Sequence, residues 1–224
     1  MRRRGHSIWA CSALALAGAA DAAETVTYSY DSLGRLVRVE HGGSVNAGAR
    51  ADYAYDSADN RTRVTVSGVP TVAGGGFEAP EVGAGYQYRP GSGPAVFTGG
   101  SGVAGNNSVW GFAAAPEGDQ LAFLQGGEAP ATISLPVTGL TPGASYKVSF
   151  RLSARPGYWG MPVSLSFNGA ALGTFDPPTT AFTAFTSPAF TAGSSSGILV
   201  FSASGIVHQN SGLDLVTIAA AGSN

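Results

Sequence analysis

The sequence predicts an all-β protein whose larger part is a β-sandwich. Three observations carry this. Charged residues make up only 12% of the 224, about half the usual share, while glycine counts 33 and proline 13. Short segments alternate apolar and polar residues and are separated by Gly, Pro, Asn or Ser clusters, the pattern of many short strands. No stretch sustains a 3.6-residue apolar period with helix caps, so almost no helix is expected after the N-terminal segment.

Residues 1–22 read as an export signal. Arg2-Arg3-Arg4 form a basic start, Ile8 to Ala17 a short apolar run, and Ala20-Asp21-Ala22 a small-residue cleavage site. The apolar run is shorter than the ~18 residues of a membrane span. No second run of spanning length follows, so the mature chain is expected not to span a membrane. Cys11 is the sole cysteine and lies within the signal, which leaves no disulfide, cysteine-bound zinc or thiol nucleophile after cleavage. The formal charge of −2 and the lone Lys147 give no basic patch for nucleic acid.

Residues 25–66 hold a duplication. Tyr28-Ser29-Tyr30-Asp31-Ser32-Leu33-Gly34-Arg35-Leu36 returns as Tyr53-Ala54-Tyr55-Asp56-Ser57-Ala58-Asp59-Asn60-Arg61. Each copy reads as strand, turn, strand. Asp31 and Asp56 suit the first turn position, while Gly34 and Asp59 suit a left-handed backbone. Five arginines (35, 38, 50, 61, 63) balance five acids (31, 40, 52, 56, 59).

These residues resemble the RHS, or YD, repeat family, whose pattern Tyr-x-Tyr-Asp-x-x-Gly both copies follow, the second with Asp59 in place of Gly. Family members string many repeats into a β-sheet shell. Two repeats cannot close one, so a small hairpin segment is expected. Residues 67–76, Ser-Gly-Val-Pro-Thr-Val-Ala-Gly-Gly-Gly, read as a flexible linker.

The second domain spans 77–219. Its strands are carried by Leu121, Phe123 and Leu124; Ile133, Leu135 and Val137; Tyr146, Val148, Phe150 and Leu152; Val163, Leu165 and Phe167; Phe182, Phe185 and Phe190; Ile198 to Phe201; and Leu213 to Ile218. Gly139-Leu140-Thr141-Pro142-Gly143-Ala144-Ser145-Tyr146 resembles the tyrosine corner of fibronectin type III domains. The domain is too long for one such module, and a jelly roll of eight or more strands fits better.

Phe77-Glu78 at the start, Trp110-Gly111-Phe112, Gly118 to Gln125, Tyr146 to Phe150, and Leu213 to Val216 at the end together resemble galactose-binding-like jelly rolls. That family includes many carbohydrate-binding modules, which mostly bind glycans without catalysis. The resemblance implies Glu78 and Asp214 as ligands of a structural Ca²⁺, with the first and last strands side by side. Read from the residues alone, they are two solvated carboxylates at a domain edge, too few ligands to hold an ion by themselves.

Sugar binding needs flat apolar rings beside a few oriented polar groups. The loop Arg155-Pro156-Gly157-Tyr158-Trp159-Gly160 is the leading candidate, through Arg155, Tyr158 and Trp159. The loop of His208, Gln209 and Asn210 is the second, and Tyr86 with Arg89 the third. Loops at one end of a jelly roll converge, so these are expected in one site. Trp110 reads equally as a core plug.

Catalysis is not expected. Gly193-Ser194-Ser195-Ser196-Gly197 matches Gly-x-Ser-x-Gly without a following helix. Glu117 and Asp119 sit two apart in a turn. The expected function is therefore an exported, non-catalytic protein that binds an extracellular glycan or cell-surface component. The alternative is a structural or interaction remnant of an RHS-type adhesin or toxin with no glycan ligand.

Overall fold

The computed structural model describes residues 24–43, 49–127 and 129–221. The expected export signal, with Cys11, lies outside them. Every regular element among the described residues is a β-strand.

The duplication forms a four-stranded antiparallel meander: β1 (Glu24–Tyr30), β2 (Leu36–Gly43), β3 (Arg50–Tyr55) and β4 (Arg61–Ser67), in that spatial order. The two copies fold alike down to single hydrogen bonds. Asp31 Oδ1 accepts from Leu33 N and Arg35 N, each at 2.9 Å, and Asp56 Oδ1 accepts from Ala58 N and Asn60 N at the same distance. Gly34 (φ 78°) and Asp59 (φ 65°) hold the equivalent left-handed position, where Asp costs more than Gly but less than most residues. Each hairpin carries a register shift at its second tyrosine, between Ser29 and Tyr30 and between Ala54 and Tyr55. The expected hairpin segment is thus a sheet, because β2 pairs with β3.

The chain then enters a two-sheet antiparallel sandwich, an all-β jelly-roll architecture. One sheet runs β13 (Ala170–Phe175), β12 (Val163–Phe167), β16 (Ser196–Ala203), β10 (Ala131–Thr138), β5 (Thr71–Val72), with β7 (Val96–Thr98) also pairing β10. The other runs β14 (Thr183–Thr186), β11 (Ser145–Ala154), β17 (Asn210–Ala220), β9 (Gln120–Gln125), β8 (Ser101–Gly105), β6 (Tyr86–Tyr88), with β15 (Phe190–Thr191) on β11. Alternation does what the sequence pattern requires. Ile133, Leu135 and Val137 from one sheet and Val148, Phe150 and Leu152 from the other point into one core, with Phe201, Leu165 and Leu213.

The segment 67–76 differs from the expected linker. Thr71 and Val72 pair with Thr138 and Val137. Beyond them, a Cβ at Gly75 would sit 2.1 Å from the Val216 carbonyl oxygen, and Val216 N donates to Gly75 O at 2.9 Å. Gly75 is there for close approach to β17, while a Cβ at Gly74 would meet the Pro94 ring and one at Gly76 the Glu117 carboxylate. The sandwich therefore begins at β5, and its first and last strands lie in different sheets that meet at this contact. At the opposite corner, Tyr146 is buried and its hydroxyl accepts from Thr141 N at 2.8 Å, which is tyrosine-corner bonding.

Candidate functional site

The outer face of the seven-stranded sheet carries a second, smaller apolar cluster of Ala104, Trp110, Leu121 and Phe123. Phe123 faces outward there because Ala122 and Leu124 face the core. Trp110, in the loop after β8, lies flat on Phe123 with ring centroids 3.9 Å apart and planes 24° apart. Phe112 stacks beside it. Tyr86 and Tyr88, on the edge strand β6, approach Trp110 edge-on at 6.1 and 6.0 Å. Trp110 is thus a plug, 4% exposed, and anchors everything above it.

Arg155 joins this anchor to the binding loop. Its guanidinium lies 4.3 Å from the Trp110 ring and 4.2 Å from the Tyr158 ring, and Nε donates to Trp110 O at 2.8 Å. A cation between two aromatic faces is held by both quadrupoles. Pro156 and Gly157 (φ 77°) follow, with Tyr158 N donating to Arg155 O; Pro second and a left-handed Gly third are the chemistry of a type II turn.

The turn delivers Trp159 onto the neighbouring loop. Trp159 N donates to His208 O at 3.1 Å, and Asn210 N donates to Trp159 O at 2.9 Å. The 205–210 loop is itself pinned: Gln209 Oε1 accepts from Ile206 N, and Gly126 N donates to Gln209 O. The backbone of Trp159 is therefore fixed on both sides, while its indole is 67% exposed and stacks on no other described ring. Tyr158 lies beside His208, ring centroids 6.2 Å apart. Val109, Ile206 and Val207 are exposed around them.

The structure thus brings together Arg155, Tyr158, Trp159, His208 and Gln209, and links Tyr86 to them through Trp110. Arg155 holds the loop rather than reaching outward. Asn210 points inward: it is fully buried, and neither polar atom of its amide has a partner. Arg89 is exposed at the end of β6 and makes no described side-chain contact with the cluster. Tyr88 is not among the site residues that the sequence picks out, yet it contacts Trp110 and Phe123 and donates to Gln125 Oε1. Desolvation, then the neighbouring Tyr86, raises its phenol above the ordinary value. Its place at an alternate position of Tyr-Gln-Tyr is the signal that could have found it.

Glu78, beside Phe77, and Asp214, in β17, both bond to the backbone of the 117–120 segment. The Glu78 carboxylate accepts from the backbone N–H groups of Asp119 and Gln120. Gly118 (φ 61°) leaves room for it, since a Cβ there would sit 2.3 Å from Glu78 Oε1. Asp214 is fully buried, not solvated. Its Oδ2 accepts from Glu117 N at 3.1 Å, and its Oδ1 has no partner. Burial first, with the Glu117 and Glu78 charges adding, pushes its pKa up from 3.8 to about 7. No group of three or more His, Cys, Asp or Glu side chains is placed to hold a metal among the described residues. The Gly193–Gly197 match runs from a turn into β16, and Ser194 Oγ donates to Ser196 O. No helix among the described residues is long and apolar enough to cross a membrane.

No protein-family model matches the chain, and no curated protein matches it either. Solved structures of similar fold include a carbohydrate-binding module, TmCBM61, in complex with β-1,4-galactotriose (13% identity, covering 66% of this chain and 95% of that chain, TM-score 0.45). Others are the CBM22-1 xylan-binding domain from Paenibacillus barcinonensis Xyn10C (13% identity, 62% and 94%, TM-score 0.42) and the K2 cleaved adhesin domain of Lys-gingipain (11% identity, 67% and 99%, TM-score 0.46). Likenesses at these identities carry no inference about what this chain binds.

Proposed function

We propose that this is an exported, non-catalytic glycan-binding protein whose sandwich binds sugar through Trp159. One observation carries the reading: an indole 67% exposed on a backbone bonded from both sides. A solvated aromatic face on a rigid support costs little entropy to use and stacks on the C–H face of a sugar ring. Tyr158, His208 and Gln209 flank it with polar groups that orient hydroxyls. A glycan array on the full chain tests this. Wild type binds at least one glycan class, and Trp159→Ala loses it with an unchanged melting temperature. A folded wild-type chain that binds no glycan overturns the reading.

We also propose that a hard cation such as Ca²⁺ bridges Asp214 and Glu78. The supporting observation is Asp214 Oδ1, a buried carboxylate oxygen with no partner, and oxygen ligands are what such an ion takes. A cation there would keep Asp214 ionised and tie β17 to the 77–82 segment. Millimolar Ca²⁺ then raises the melting temperature and chelator lowers it. An unchanged melt removes the cation.

A further inference from the structure

The four-stranded sheet contains one junction between its two repeats, and that junction specifies what fits the outer edges. Across it, β2 pairs with β3 through Arg38↔Asp52, Val39↔Ala51 and Glu40↔Arg50. Tyr55 Oη donates to Leu36 O at 2.9 Å, and Arg35 lies over the Tyr55 ring at 4.9 Å. The repeats are offset by 25 residues, Tyr30 to Tyr55. Strand β4 is the second repeat's equivalent of β2, and β1 is the first repeat's equivalent of β3. Both are edges of the sheet.

We propose that β4 of one copy pairs with β1 of a second copy of this chain, repeating the internal junction. The offset fixes the register: Arg63 opposite Thr27, Val64 opposite Val26, and Thr65 opposite Thr25 of the second copy. It also supplies the side-chain contact. Tyr30, 61% exposed and without a described hydrogen bond from its hydroxyl, takes the role of Tyr55 and donates to Arg61 O.

Three observations support this occupant. Neither β1 nor β4 contains proline or lysine, two of the residues that block strand addition at an edge. The register places no like charges opposite each other, and it puts Val64, 44% exposed, against Val26 on the face that also carries Val39, Ala51 and Tyr53. Finally, β1 and β4 differ from each other, so the contact is head-to-tail. Such contacts propagate into open chains or close into rings. The area of one strand pair is small, so association is weak, with a dissociation constant of order 0.1–1 mM.

Sedimentation velocity of the full chain over a concentration series tests this. The weight-average mass is expected to rise above the 22.5 kDa of the monomer. Val26→Lys alone and Val64→Glu alone each weaken association severalfold. An equimolar mixture of the two variants restores it, because the unaltered β4 of the Val26→Lys chain meets the unaltered β1 of the Val64→Glu chain, and at the other mixed junction the new carboxylate faces the new ammonium. Independently, in a Cys11→Ser background, Val26→Cys and Val64→Cys chains mixed under oxidation form an intermolecular disulfide. Thr25→Cys with Val64→Cys, one residue out of register, does not. A chain that stays monomeric at about 1 mM and gives no cross-link between positions 26 and 64 overturns the proposal. Association that neither charge variant weakens overturns it equally.

Discussion

The repeat sheet and the sandwich are both antiparallel β-structure, yet different forces hold them. In the sandwich, large side chains such as Phe150, Phe201 and Tyr146 are fully buried between sheets. In the repeat sheet no described side chain is fully buried. Its order comes from Asp turns, from Arg35 bonded to both Asp31 and Asp59, from Arg38 and Arg50 sharing Asp52, and from the Tyr55–Leu36 bond. A sheet without a covering layer is marginal in water. The sandwich is therefore stable through area removed from water, the repeat sheet through geometry and charge, and the two regions should respond oppositely to the same perturbation.

Deleting apolar volume separates them most. Phe201→Ala leaves a cavity among Phe150, Leu165 and Ile133 and is expected to cost about 3–5 kcal/mol. Tyr28→Ala removes a ring already 56% exposed and is expected to cost under about 1 kcal/mol. Urea unfolding of both variants checks this. Equal losses would mean that the repeat sheet has an apolar partner of its own.

Acid separates them by sign. Hydrogen bonds from the Arg35 backbone and side chain hold Asp31 below its ordinary value, and those from Asn60 do the same for Asp56. These groups stabilise the repeat sheet above the ordinary carboxylate pKa, and that stability is lost as pH falls through their lowered values. Asp214 behaves oppositely. Its folded pKa of about 7 lies above the ordinary 3.8, so the folded state holds the proton more tightly. The contribution of Asp214 to metal-free sandwich stability is then fully present below about pH 3.8 and is lost as pH rises to about 7. Asp214→Asn removes this slope, worth of order a few kcal/mol, and also abolishes any Ca²⁺ stabilisation. Melts spanning acid to neutral pH with chelator provide the check. A flat wild-type profile would mean that Asp214 is solvated.

Much of this architecture was legible in the sequence because alternation and turn chemistry are local. The strands of Ile133–Val137, Tyr146–Leu152 and Val163–Phe167 follow from period two. The paired turns follow from Asp at one position and Gly or Asp three residues on. The convergence of the 155–160 and 205–210 loops followed from jelly-roll geometry. What did not show was non-local. Glycines 74–76 look like a linker in one dimension, and only the presence of Pro94, Val216 and Glu117 makes them close contacts. Asn210 looks like a loop residue, but the parallel bridge of Trp159 to Gln209 turns the next residue inward. Arg155 looks like a ligand donor until Trp110, far from it in sequence, occupies it.

The smallest expected effect lies where the second repeat departs from the first. Asp59 occupies the left-handed position that Gly34 holds, at φ 65° against 78°. Asp59→Gly relieves the steric cost of that backbone, roughly 0.5–1 kcal/mol, but adds freedom to the unfolded chain. It also removes the exposed Arg35–Asp59 pair, in which Asp59 is 68% exposed, worth about 0.2–1 kcal/mol. These terms nearly cancel, so stability should change by less than about 0.5 kcal/mol. The informative part is salt. Wild-type repeat-sheet stability should weaken between low and high ionic strength more than that of Asp59→Gly, because screening removes the pair only where it exists. Identical salt dependence would show that Arg35 is held by Asp31 and Tyr55 alone, making the repeat-to-repeat junction a matter of backbone pairing and the Tyr55 bond.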